Sequence, residues 1–126
     1  MRKNVKTDLA PAAIGPYSQG VVAGGFVFVS GQIPIDPATG AFAGDDIKTQ
    51  TAQSLRNVSK ILEAAGSGMD KVVKTTVLLK NISDFAAMNE VYATFFEGDA
   101  LPARAAFEAA ALPKGALVEI EVIATL

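Results

Sequence analysis

Apolar and polar positions along the chain predict a series of short strands interrupted by two helices. The segment GVVAGGFVFVSGQIPID contains two β-rich runs. Paired glycines supply the positive φ angles of a tight hairpin turn, so Gly24-Gly25 predicts a hairpin between these runs. A second turn is predicted at residues 37–40, PATG. From 47 to 65, apolar residues recur at intervals of three and four, which predicts an amphipathic helix that Gly66 ends.

The two faces of this first helix differ in polarity. The apolar face consists of Leu55, Val58, Leu62 and Ala65, and the polar face of Gln53, Arg56, Lys60 and Glu63. The β-branched segment KVVKTTVLLK, residues 71–80, predicts a strand. A second helix follows, with Ser83 as its candidate cap. Its apolar stripe is Phe85, Met88, Tyr92 and Phe95.

Two further strands are predicted at residues 102–112 and 117–125, separated by a turn at 113–115. The resulting order is β-β-β-α-β-α-β-β, an α/β (α+β) chain in which residues 1–126 form one domain. We expect two helices on one face of a single sheet. The strands are too apolar for the other face to lie wholly in water, so a homo-oligomer is expected.

Composition narrows the possible chemistry. With 11 basic and 13 acidic residues the net charge is −2, which provides no general attraction for nucleic acid. No apolar stretch is long enough for a membrane span, and we expect a cytoplasmic protein. The absence of cysteine and histidine excludes a thiol nucleophile and a serine–histidine triad. Asp45-Asp46 lacks the spacing of a calcium loop, and no nucleotide-binding motif is present, so neither a metal nor a cofactor is expected.

Arg104 is the most unusual charged residue, because it interrupts the apolar segment PARAAF. Strand alternation places Arg104, Ala106 and Glu108 on one face, where the small alanine leaves room for a ligand. The planar guanidinium matches a carboxylate in two-pronged fashion, which suits an α-keto or α-imino acid. The alternative is a structural salt bridge to Glu108 or Glu119.

Glu119 and Glu121 share a strand face in LVEIEVIA, opposite Val118, Ile120 and Val122. This alternation is also typical of a solvated sheet, whereas a catalytic role would require a carboxylate within hydrogen-bond reach of an attacking water. Other candidates with ordinary structural alternatives are Tyr17, Ser30, Gly31 and Asn89.

Several segments together resemble the RidA (YjgF-type) family of 2-iminobutanoate/2-iminopropanoate deaminases. They are APAAIGPYSQG, VFVSGQIPIDPATG, VVKTTVLLKNISDFAAMNEVYATFF, PARAAFE and VEIEVIA, in unbroken order from about Pro11 to Ala124. The resemblance implies a chorismate-mutase-like fold, with a mixed sheet and two helices on one face. It also implies a homotrimer with active sites in the clefts between subunits.

The resemblance implies a role for each matching residue. Arg104 would grip the substrate carboxylate, assisted by the backbone amide of Ala106, and Glu119 would position the hydrolytic water. The pocket would be lined by Ser30, Gly31, Tyr17, Asn89 and Phe85. Many family members have the motif PARSC, with cysteine where this chain has Ala106. Alanine has the same backbone N–H donor as cysteine, so Ala106 can still bind a carboxylate through its amide. The replacement puts in doubt only regulation through modification of the cysteine thiol.

The implied activity is cofactor-independent hydrolysis of a C=N bond. The enzyme would convert 2-iminopropanoate and 2-iminobutanoate, which arise from 2-aminoacrylate and 2-aminocrotonate, to 2-keto acids and ammonia. Two alternatives remain open: a non-catalytic module that binds 2-keto acids or similar metabolites, and a deaminase of another amine such as aminomuconate. RNA cleavage or binding is a further alternative, which the acidic charge balance disfavours.

Overall fold

The computed structural model describes residues 2–126 and contains six strands and two α-helices. The strands are β1 (Lys3–Val5), β2 (Gly20–Ala23), β3 (Phe26–Gln32), β4 (Val72–Leu79), β5 (Ala103–Glu108) and β6 (Val118–Thr125). The helices are α1 (Ile47–Ala64) and α2 (Phe85–Tyr92). The predicted order matches the observed one in the number and type of elements, but the two runs located before α1 correspond to β2 and β3, and the sequence patterns did not locate the short strand β1.

All six strands form one mixed sheet in the order β1-β2-β3-β6-β4-β5. Every neighbouring pair is antiparallel except β4 and β5, which are parallel. The C-terminal strand β6 therefore lies at the centre of the sheet, and β5 forms an edge. Because the strand order departs from the chain order, residues far apart in sequence become neighbours.

The helices cover one face of this sheet, as predicted. Helix α1 packs against β3 and β6, and α2 packs against α1. The core between these layers contains Leu55, Val58, Ile61 and Leu62 of α1 together with Val77, Val118, Ile120 and Val122 of the sheet. Burying apolar side chains of this size stabilises the fold by about 1.5–3 kcal/mol each.

The first hairpin and both ends of α1 follow the sequence signals. Gly24 and Gly25 have φ angles of 59° and 82°, and they join β2 to β3 as the hairpin requires. At the start of α1, the Asp46 side chain accepts a hydrogen bond of 2.9 Å from the Thr49 amide. Just beyond the helix, Gly66 has a φ angle of 84°. The predicted bounds of α1 are confirmed to within one residue.

The predicted cap of α2 is wrong. Ser83 lies inside a short 3-10 turn, Ile82–Asp84, and the residue at the cap position is Asp84, which makes no capping side-chain hydrogen bond. A second 3-10 turn, Ala93–Phe95, extends the helix, so the apolar stripe continues from Phe85 past the helix end. The helix itself is only 8 residues long.

The face of the sheet opposite the helices is open in the single chain. Phe26 and Phe28 of β3 are 41% and 44% exposed on it. Leu78 and Ile123 are half-buried, and the charged residues Lys74 and Glu121 lie among these apolar groups. Within residues 2–126, no helix is both long and apolar enough to cross a membrane.

Candidate active site

One group of candidate residues lies where α2 meets the edge strand β5. The Arg104 Nη1 donates a hydrogen bond of 2.6 Å to the Asn89 Oδ1. The guanidinium carbon lies 5.2 Å from the ring centre of Phe85 and 4.8 Å from that of Tyr92. Stacking on two aromatic rings and a hydrogen bond to an amide together hold the guanidinium in one place. We call these residues, with Ala106, the Arg104 half-site.

The scaffold beneath the Arg104 half-site is buried. The hydroxyl groups of Tyr92 and Thr75 are 2.8 Å apart and hydrogen bonded, which links α2 to β4. Thr75 pairs with Arg104 across the parallel strands. Tyr92 is itself almost fully buried, so its ring is a fixed surface for the arginine.

The backbone amide of Ala106 faces the open edge of the sheet. The Ala109 amide donates to the Leu79 carbonyl of β4. Successive residues of a strand direct their backbone groups to opposite sides, so the amides at even positions of β5, including Ala106, point away from β4. A cation and a free backbone donor therefore lie on the same edge strand, two residues apart.

Arg104 does not form the structural salt bridge that was the alternative interpretation. Among residues 2–126 the ion pairs are Lys48–Glu90 and Lys60–Glu63. The Glu108 carboxylate instead accepts a hydrogen bond of 2.9 Å from the Ile82 amide. Arg104 is exposed, so its remaining donors are free to bind a ligand.

A second group of candidate residues surrounds Glu119 on β6. Between Val29 and Gln32 the pairing of β3 with β6 is shifted by a β-bulge. A Cβ atom added at Gly31, within this bulge, would lie 2.5 Å from the Glu119 Oε2. Only glycine therefore allows the carboxylate to lie against the β3 backbone.

Burial raises the pKa of Glu119 above its ordinary value, and the nearby negative charge of Glu121 raises it further. The carboxyl group is half-buried, whereas Glu121 is exposed. A carboxylate that binds its proton more tightly than a free glutamate is a better general base. The solvated-sheet interpretation fits Glu121 and does not fit Glu119.

Glu119 borders a cavity of about 170 Å³, which we call the Glu119 cavity. Its twelve lining residues are Pro11, Ala12, Ile14, Tyr17, Gln19, Gly31, Gln32, Ile33, Ile35, Pro113, Lys114 and Glu119. Tyr17 is 51% exposed, so it is not the half-buried aromatic of the structural alternative. These residues come from three separate parts of the chain and are mostly neutral.

Buried polar side chains of α1 brace the walls of the Glu119 cavity. The Asn57 amide nitrogen donates to the carbonyl oxygens of Ile33 and Ile35, at 3.3 and 2.9 Å. The Gln50 Oε1 accepts a hydrogen bond of 2.9 Å from the Leu117 amide, two residues before Glu119. Gln53, which the sequence pattern placed on the polar face, is also buried and donates to Asn57.

The two groups lie on opposite faces of the sheet. Arg104 pairs with Thr75, whose hydroxyl is bonded to Tyr92 on the helix side. Glu119 pairs with Leu78, three positions further along β4 and therefore on the other face. One chain thus brings Phe85, Asn89, Arg104 and Ala106 together, and separately brings Tyr17, Gly31 and Glu119 together.

Ser30 lies beside the second group, but its hydroxyl donates a hydrogen bond of 2.6 Å to the Ser18 carbonyl. It belongs to β3 and does not border the Glu119 cavity.

Two residues of these groups, Tyr92 and Lys114, were not predicted from the sequence. The sequence places Tyr92 only in an apolar stripe and Lys114 only in a turn. Neither the apolar spacing nor the turn motif shows that Tyr92 contacts Arg104 or that Lys114 borders the same cavity as Glu119.

The chain is a small α/β protein with an exposed arginine on its edge strand and a separate cavity that contains the half-buried Glu119. The family model described as Endoribonuclease L-PSP matches residues 7–126. The chain therefore belongs to this family, which is the RidA/YjgF family that the sequence resembles. The expected fold is thereby confirmed.

Named relatives cover nearly the whole chain. The 2-iminobutanoate/2-iminopropanoate deaminase of Salmonella typhimurium is 52% identical over 126 residues, with 98% of each chain covered. The enzyme of the same name from Rattus norvegicus is 51% identical over 124 residues, which cover 98% of this chain and 90% of the relative. The crystal structure of E. coli TdcF with bound serine is 43% identical, with a TM-score of 0.92 and 98% of each chain covered.

Proposed function

We propose that this protein hydrolyses 2-iminopropanoate and 2-iminobutanoate to 2-keto acids and ammonia, in sites that form between the subunits of a homotrimer. The substrates are small reactive imino acids that pyridoxal-phosphate dehydratases release in the cytoplasm. The reaction uses no metal or organic cofactor, because the protonated imine is already electrophilic. Relatives about 50% identical carry the name of this activity.

The observation that carries the proposal is the environment of Arg104. Its guanidinium is fixed by Asn89, Phe85 and Tyr92. No acidic side chain among residues 2–126 forms an ion pair with it. A fixed cation beside a free backbone amide is the arrangement that binds a carboxylate through two or more charge-assisted hydrogen bonds. The serine in the E. coli TdcF structure also carries a carboxylate.

Glu119 supplies the second part of the chemistry. Its half-buried carboxylate accepts a hydrogen bond from water and takes the proton that the water loses on attack. The water oxygen bonds to the imine carbon, and the electron pair of the C=N bond moves to nitrogen. Glu119 returns this proton to the nitrogen of the adduct, the C–N bond breaks with its electron pair on nitrogen, and ammonia leaves. The hydroxyl group loses its proton to the Glu119 carboxylate as the keto group forms, and release of that proton to solvent restores the site.

Two subunits are needed because one chain places Arg104 and Glu119 on opposite faces of its sheet. The open face, with Phe26 and Phe28 exposed, is the surface on which we place the neighbouring subunits. In the trimer, the Arg104 half-site of one subunit and the Glu119 cavity of the next would enclose a single substrate. Closed symmetry would then repeat this site at every interface.

A coupled assay tests the activity. An amino-acid oxidase or dehydratase generates the imine, and semicarbazide traps whatever survives. We expect the wild-type protein to suppress trapping, and Arg104→Ala to lose about a hundredfold in kcat/KM, because the charged bidentate contact is removed. Arg2→Ala is the matched control, since it removes an exposed arginine outside both groups and outside the polar network of α1. Unchanged trapping with the wild-type protein would refute deamination.

A further inference from the structure

Lys114 has an unusual backbone conformation. Its φ and ψ angles are 56° and 20°, in the left-handed region, and it is the only non-glycine residue of the described chain with a positive φ. Asparagine and glycine adopt this conformation with less strain than lysine does. The neighbouring Gly115 has a φ of 72°, so the tight turn Pro113–Gly115 forces Lys114 into this shape. Strained residues of this kind concentrate at functional sites.

The strained turn forms part of the wall of the Glu119 cavity. Among the twelve lining residues, Lys114 and Glu119 are the only ones with a charged side chain. A substrate carboxylate that approached Glu119 alone would be repelled by its negative charge. Lys114 is therefore the one lining group that can offset this repulsion.

The ammonium group of Lys114 is not engaged elsewhere in the described chain. It takes part in neither of the two ion pairs found among residues 2–126. The residue is exposed, so its long side chain can reach into the mouth of the cavity.

We propose that Lys114 attracts the carboxylate of the substrate and makes the Glu119 cavity selective for anionic ligands. The inference rests on the proposed function and adds a residue to it. Arg104, contributed by the other subunit, binds the carboxylate directly. Lys114 sets the charge balance of the cavity, so that an anion can enter beside Glu119.

Binding measurements test this role separately from catalysis. Calorimetric titration with 2-oxobutanoate and with its uncharged amide compares the wild type with Lys114→Asn and Lys114→Arg. We expect Lys114→Asn to weaken 2-oxobutanoate binding about three- to tenfold, to reduce the salt dependence of that binding, and to leave amide binding unchanged. Lys114→Arg keeps the charge and should retain most of the affinity. Lys71→Asn removes an exposed lysine that does not border the cavity and serves as the control.

Stability provides an independent readout of the same variant. Asparagine relieves the left-handed strain, so the Tm of Lys114→Asn should be equal to or higher than that of the wild type, which separates weaker binding from misfolding. If Lys114→Asn binds 2-oxobutanoate as tightly as the wild type, or loses acid and amide binding equally, the inference is wrong. If charge-dependent binding is seen without deaminase activity, the role of Lys114 stands and the proposed reaction fails.

Discussion

The carboxyl group of Glu119 takes its properties from two neighbouring residues. Gly31 has no side chain, which lets the carboxylate lie against the backbone of β3 and become half-buried. Glu121 lies two positions along on the same face and adds a negative charge. Both effects disfavour the ionised form, and burial is the larger of the two.

The charge on Glu121 can be removed without changing the core. We expect Glu121→Gln to lower the pKa of Glu119 towards its ordinary value while leaving it raised, because burial remains. A carboxyl carbon NMR titration measures this pKa directly. Glu97→Gln, at an exposed site outside both groups, should leave the Glu119 titration unchanged. If Glu119 has the same pKa in Glu121→Gln as in the wild type, the charge of Glu121 does not contribute to the raised pKa.

At the scale of elements, α1 has two functions on one helix. Its apolar face packs in the core. The buried side-chain amides of Asn57 and Gln50 form hydrogen bonds with the loop after β3 and with the residue before β6. Asn57 donates to the carbonyl groups of the first segment and Gln50 accepts from the amide of the second. These hydrogen bonds fix the segments that contribute Ile33, Ile35 and Glu119 to the cavity. The precision of the cavity therefore depends on a helix that contributes no residue to its wall.

Removal of one brace should weaken both stability and the site. We expect Asn57→Ala to lower the free energy of unfolding by about 1–3 kcal/mol, because the Ile35 carbonyl loses its side-chain donor and the buried Gln53 amide loses its acceptor. Urea denaturation measures the change. Lys60→Ala, which breaks only an exposed ion pair on the same helix, should change stability by about 0.5 kcal/mol or less. Equal losses in the two variants would contradict the bracing role.

The elements were predictable from sequence wherever a local rule determines them. Gly24-Gly25 predicted the hairpin, and regular apolar spacing predicted α1. Strand β1 was missed because its three residues are too few to show alternation. Serine commonly caps helices, so Ser83 is the cap that the sequence predicts, but a 3-10 turn moves the start of α2 beyond it.

At the scale of the whole molecule, the sequence could not reveal how its candidate residues are arranged. Alternation correctly grouped Arg104 with Ala106 and separated Glu119 from Ile120. It could not show that the first group faces the helices and that Glu119 faces the open side, because that depends on the strand order. The expectation of sites between subunits comes from the family resemblance. Because Arg104 and Glu119 of one chain lie on opposite faces of the sheet, they could meet at one substrate only if they came from different subunits.

Mixed oligomers test the central claim most directly. Arg104→Ala and Glu119→Gln subunits with different affinity tags are co-expressed, and the mixed species are purified and assayed for imine hydrolysis. In each purified mixed trimer, one interface out of three combines an intact Arg104 with an intact Glu119, so about a third of wild-type activity should return. If mixed trimers form and are no more active than the two parent variants, the site does not span two subunits, and the account is wrong.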